Sequence, residues 1–146
     1  MLFGVGAVIN GQVVVRVGID RLVRIVFASA IAIAVLLLVV SIAGAGQPSF
    51  WIFMPMLGVL LAHFMFLMPN LNTGALEPMG AIAGTASSLT GAARIAGGAV
   101  LGAVVDSQVG DAVTPFAVAT VIFIACAIIA TAWAMAGNSV QDSVAD

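Results

Sequence analysis

Four apolar runs, 25–46, 50–68, 79–105 and 115–136, each reach the roughly 20 residues a helix needs to cross about 30 Å of hydrocarbon. Lipid offers no water to bond backbone N–H and C=O groups, so runs of this length fold as helices. The breaks between them, GAGQPS, PNLNTGALEP and DSQVGDAVTP, are short and rich in turn-forming residues, which makes neighbouring helices antiparallel. The chain is therefore expected to be an all-α integral membrane protein forming one unit over 1–146.

Composition excludes the main alternatives. Hydrophobic residues make up 63% of the chain and charged residues 7%, with no lysine, so a water-soluble fold would lack a polar surface. A net charge of −2 supplies neither a basic patch for nucleic acid nor a long acidic tail. No G-x-S-x-G, H-E-x-x-H or phosphate-loop pattern occurs, and no set of acids lies close enough to act together, so an enzyme is not expected. Cys126, the single cysteine, lies in an apolar run without disulfide or metal partners and reads as a packed helix residue.

Residues 1–15 form a fifth apolar stretch, too short for a full span and interrupted by Asn10 and Gln12. It reads as the second half of a truncated helix. A secretory signal would need a positive region before the apolar run and a cleavage site after it, and neither is found. Arg16, Arg21 and Arg24 cluster in the following turn, whereas GAGQPS carries no charge, so the arginine-bearing turn is expected in the cytoplasm. Alternation then puts PNLNTGALEP and the tail NSVQDSVAD inside and DSQVGDAVTP outside.

In the third full run Gly80, Gly84, Ser87, Gly91, Gly98 and Gly102 recur at three- and four-residue spacings, giving one narrow face that should meet another helix. Arg94 shares that stripe, roughly 21 Å along from Gly80, well inside the membrane. A central arginine costs roughly 2.5 to 3.5 kcal/mol on insertion scales, so it either pairs with an acid, lines a water-filled cavity or snorkels outward. Arg94, Ser87, Ser88 and Gly91 are the candidate cavity residues. Thr85 and the two serines either bond between helices or line a substrate path. Glu77 and Pro78 suit a helix mouth, an acid being favoured near the N-terminal dipole and proline in the first turn. Asn70, Asn72 and Thr73 suit a turn.

His63, the only histidine, has no metal partner at helical spacing and reads as packed or cavity-lining. The methionines and aromatics around it offer an adaptable surface for varied apolar molecules, or equally a lipid-facing one. Trp51 suits an interfacial anchor and Pro55 a kink.

Two segments resemble a known family. GQVVVRVG, residues 11–18, resembles a degenerate G-x-x-x-D-R-x-G cytoplasmic loop motif of major facilitator superfamily transporters: Gly11, Arg16 and Gly18 match, while Val15 stands in place of the aspartate. Asp20 beside Arg21 is the local acid able to replace it, the loop acting as a gate or as an orientation signal. ALEPMGAIAGTASSL, residues 75–89, is similar to the mouth of the eleventh helix in the Bcr/CflA-type multidrug efflux branch, with Glu77, Pro78, Gly84 and Thr85 as its motif positions. The resemblance implies part of the C-terminal six-helix half of a major facilitator fold, its truncated helix the eighth and its full spans the ninth to twelfth. It further implies export of small apolar or amphipathic drugs across a bacterial-type cytoplasmic (inner) membrane. That export is driven by the proton gradient without a cofactor, and the coupling acid lies in the missing N-terminal transporter half. The chain alone is expected not to transport. The alternative is a small membrane protein acting as a separately made half or regulatory partner of another membrane protein.

Overall fold

The computed structural model describes the backbone of residues 18–145, with side chains of 18–134 apart from Asp20 and Glu77. The expected half-helix over 1–15, with Gly11 and Arg16, lies outside the described residues. Four α-helices follow in order: α1 (Ile19–Ala43), α2 (Phe50–Leu76), α3 (Ala83–Asp106) and α4 (Thr114–Ala145), with a 3-10 segment, Glu77–Ile82, joining α2 to α3. No strand occurs among the described residues. All four helices are long and apolar enough to cross a membrane.

α1 is the centre of the packing. Its buried residues are Leu22, Val23, Phe27, Ala30, Ala34, Leu37 and Ser41, and from Val23 onward they are spaced alternately by four and three. That is the 3.5-residue repeat of helices crossing at a shallow left-handed angle, the commonest geometry of membrane bundles. α2 answers with Phe53, Met56, Leu60, His63, Leu67 and Asn70, and α4 with Ala117, Val121, Ile124 and Ile128, both on the same alternation. Lipid is as apolar as the seam, so burial alone supplies little drive, and the gain comes from close van der Waals contact. Ala30 and Ala34, 3% and 0% exposed, let the helix axes approach at mid-length.

α1 is opened by Gly18, whose φ of 81° few residues other than glycine adopt, and whose carbonyl accepts from Leu22 N–H at 3.1 Å. The helix starts at Ile19, earlier than residue 25, because Arg21 is exposed and can extend its charged end toward water while its stem stays apolar. It stops at Ala43, not 46, since Ala45 and Gly46 turn left-handed with φ of 51° and 84°. Gly44 N–H and Gly46 N–H donate back to Val40 and Ser41 carbonyls at 3.0 and 2.8 Å, satisfying the helix end.

This turn is clasped to the one before α4. Val113 N–H donates to Gly46 O at 2.8 Å, Gln47 Nε2 to Asp111 O at 3.1 Å, and the Ser41 and Thr114 hydroxyls lie 3.0 Å apart. A Cβ on Gly46 would sit 2.6 Å from Ala112 Cβ.

The break after α2 corrects the sequence expectation. Residues 69–76 are helical, although PNLNTGALEP reads as a turn. The polar side chains bond within the helix: Asn70 Nδ2 donates to Phe66 O at 2.6 Å and Thr73 Oγ1 to Pro69 O at 2.9 Å. Side-chain bonds of this kind help membrane helices accommodate proline. The real hinge is Glu77–Ile82, with Pro78 near its start and Gly80 at φ 48°, ψ −118°. α3 therefore begins at Ala83 rather than 79, and Gly80 belongs to the hinge, not to the glycine stripe. At the other end of the chain α4 continues to Ala145, beyond residue 136, because backbone hydrogen bonding does not stop where the apolar run does.

Trp51 and Trp133 are 82% and 81% exposed. Phe53 of α2 and Phe116 of α4 stack edge-on at 6.3 Å, which sets both helices at one level. Counting from that level, the two tryptophans are about 28 Å apart along the helix axes, close to the hydrocarbon thickness that interfacial tryptophans bracket.

Replacing Ala34 by Leu should overpack the seam and cost about 1–3 kcal/mol, measured by reversible unfolding in mixed micelles, whereas Ala96→Leu on exposed α3 should stay within about 0.5 kcal/mol. Gly46→Val should destabilise by at least about 1 kcal/mol in the same assay, through both the positive φ and the Ala112 contact.

Candidate functional site

α3 differs from its neighbours in having no buried residue. Leu89, Ile95 and Val100 are each more than three-fifths exposed. A Cβ added to Gly84, Gly91, Gly98 or Gly102 would meet nothing within 4 Å, so the small-residue face expected to meet another helix is open along this chain. The stripe exists, but no described element fills it.

Arg94 lies eleven residues after Ala83 and twelve before Asp106, at the midpoint of α3. Its Nη1 is 3.1 Å from the Met68 Sδ of α2. The two side chains sit at an open cleft between α2 and α3, about 430 Å³ in volume, lined also by Pro69, Asn72, Gly91 and Ile95. The helical continuation of α2 through Pro69 is what carries Asn72 into this lining. A thioether is a weak acceptor, so it would do little to offset the cost of a guanidinium held at mid-membrane. Asp106, the nearest acid in sequence with a described side chain, is about 18 Å away along the helix.

The remaining candidates are only partly assembled. Gly91 and Arg94 share the cleft, whereas Ser87 and Ser88 are not among its lining residues. Ser88 Oγ donates to Gly84 O at 3.0 Å, and Thr90 Oγ1 lies 2.8 and 3.1 Å from the Ala86 and Ser87 carbonyls. Thr85 is exposed one turn before Ser88. Pro78 lies in the hinge and Gly84 in the first turn of α3, so the helix-mouth motif spans the hinge and the helix start. The side chains of Glu77 and Asp20 are outside the described ones. Arg21 is exposed beside Gly18 at the start of α1.

A second polar site pairs His63 with a residue that the sequence analysis did not single out, Ser29. His63 Nε2 lies 2.9 Å from Ser29 Oγ of α1, and its Nδ1 lies 2.7 Å from Val59 O. The histidine borders an apolar cavity of about 300 Å³ between α1, α2 and α4. The expectation of a packed or cavity-lining histidine holds, but its partner, 34 residues away, carries no local pattern. Cys126 is exposed on α4, which corrects its reading as a packed residue: it occupies a face that no described helix covers.

Compared with known family models, curated proteins and solved structures, the chain matches none.

If Arg94 sits at mid-membrane, Arg94→Leu should lower the apparent free energy of inserting the α3 segment by about 3 kcal/mol in a glycosylation-mapped insertion assay; a change under about 1 kcal/mol would mean an interfacial position.

Proposed function

We propose that the chain is the C-terminal part of a proton-coupled multidrug efflux transporter of the major facilitator type, working by alternating access between two helical halves. The reading rests on the resemblance of residues 11–18 and 75–89. The observation that carries it is α3: a helix with no buried residue and an arginine at its midpoint, bordering an open cleft. An intramembrane charge of this kind is expensive and faces a protein interior or a water-filled path. On this reading further helices of the transporter cover the glycine face, and Arg94 with Gly91 forms part of the wall of the drug path. Ser87 and Ser88, on the adjoining turn, extend that wall, and the drugs are small apolar or amphipathic molecules.

The hinge at Glu77–Ile82 supports the same reading in a second way. Gly80, at positive φ and with open space where a Cβ would point, joins α2 to α3 through a short articulated segment, as a moving helix needs. The arginine-bearing turn before α1 and the hinge then both face the cytoplasm.

Proteoliposomes holding only this chain should show no drug-dependent proton flux. Robust flux lost on Arg94→Ala would overturn the proposal, since it would make the chain a complete transporter. Drug binding without flux would favour a separately made half. Neither binding nor flux, together with a native product near 14.7 kDa on immunoblots of source membranes, would favour a regulatory partner.

A further inference from the structure

His63 is thirteen residues from each end of α2, about 20 Å from either. Its partner Ser29 is likewise near the middle of α1. Val59 O can only accept, so Nδ1 of His63 carries a proton. In the neutral ring Nε2 is then bare, and the Ser29 hydroxyl donates to it across 2.9 Å. Ser29 Oγ also lies 3.0 Å from both Ile25 O and Val26 O on its own helix. If Nε2 gains a proton it donates to Ser29 Oγ, and the hydroxyl proton swings to one of those carbonyls. Every donor is paired in both states, and no heavy atom has to move.

We propose that the His63–Ser29 pair is an intramembrane proton-binding site. Nε2 takes one proton from water and later returns it, Ser29 changes from donor to acceptor, and no other bond forms or breaks. An unpaired imidazolium at this depth would carry a large desolvation cost, whereas here two hydrogen bonds hold it, each strengthened by the charge. The site stands apart from the transport proposal, because it depends only on contacts between α1 and α2.

From α1 the adjoining cavity is lined by Phe27 and Ala30, and from α4 Thr120 is the polar lining residue, its hydroxyl donating to Phe116 O at 2.8 Å. Among the described lining residues His63 is the only titratable one. Cys126 of α4 is exposed and outside the lining. The nearest cations along the packed elements are Arg24, five residues before Ser29 on α1, and Arg94 of α3, which reaches Met68 five residues beyond His63.

Because the chain has one histidine, ¹⁵N-histidine labelling of the full chain in lipid nanodiscs reports this site alone. Above neutral pH the spectrum should show a protonated Nδ1 and a bare, hydrogen-bonded Nε2. Acidification from about pH 8 to about pH 4 should convert it reversibly to the doubly protonated ring with helix content unchanged. Ser29→Ala should move the neutral Nε2 resonance to its unbonded position, and Ser29→Thr should restore it. A protonated Nε2 with bare Nδ1 at high pH, a ring neutral throughout the range, or an Nε2 signal indifferent to Ser29→Ala in a chain that circular dichroism shows still helical, would each overturn the proposal.

Discussion

Close approach of α1 to α2 and α4 is the constraint on which the rest depends. In lipid no solvent pushes apolar helices together, so the bundle holds only where surfaces interlock. The alternating four- and three-residue seam on α1 supplies this from Val23 to Ser41, with alanines at the middle and larger side chains toward the ends. The same closeness is what puts Ser29 within hydrogen-bonding distance of His63. Widening the seam by bulk at Ala30 or Ala34 would therefore act on the polar pair as well as on packing.

α3 stands outside this arrangement. It is joined to the other helices by the hinge, the clasped turn and the Arg94–Met68 contact, and it buries no residue along its length. A soluble protein with so much exposed apolar surface would aggregate, but a membrane helix meets lipid there at no such penalty. Lipid accounts for Leu89, Ile95 and Val100. It does not account for Arg94, whose charge separates α3 from an ordinary lipid-facing helix.

The four helices were legible because length and hydropathy alone decide which segments can span a bilayer. The hinge was not. Pro69, Asn70, Asn72 and Thr73 have the chemistry of a turn in water, yet hydroxyl and amide groups can bond back along a membrane helix, as Asn70 and Thr73 do here. The glycine stripe was legible as a face, but spacing cannot say whether any helix of this chain packs on it, and none of the described ones fills it. The seam on α1 was hidden for the opposite reason: nearly every residue around it is apolar, so the 3.5-residue repeat stands out only once burial is known. Arg94 drew attention because it is charged. Ser29 did not, being an ordinary small residue in a run of alanines and isoleucines.

The clasp between the two turns distributes stiffness unevenly through the bundle. The end of α1, the start of α2, the end of α3 and the start of α4 all converge on the backbone and side-chain bonds around Gly46, Asp111 and Val113. At the opposite membrane face the connection between α2 and α3 is the short segment containing Gly80. One face thus works as a fixed collar and the other as a joint. Were α3 to tilt about the collar, its displacement would be small at the clasped end and grow toward Gly80, and Arg94, halfway along, would travel about half the distance of the far end.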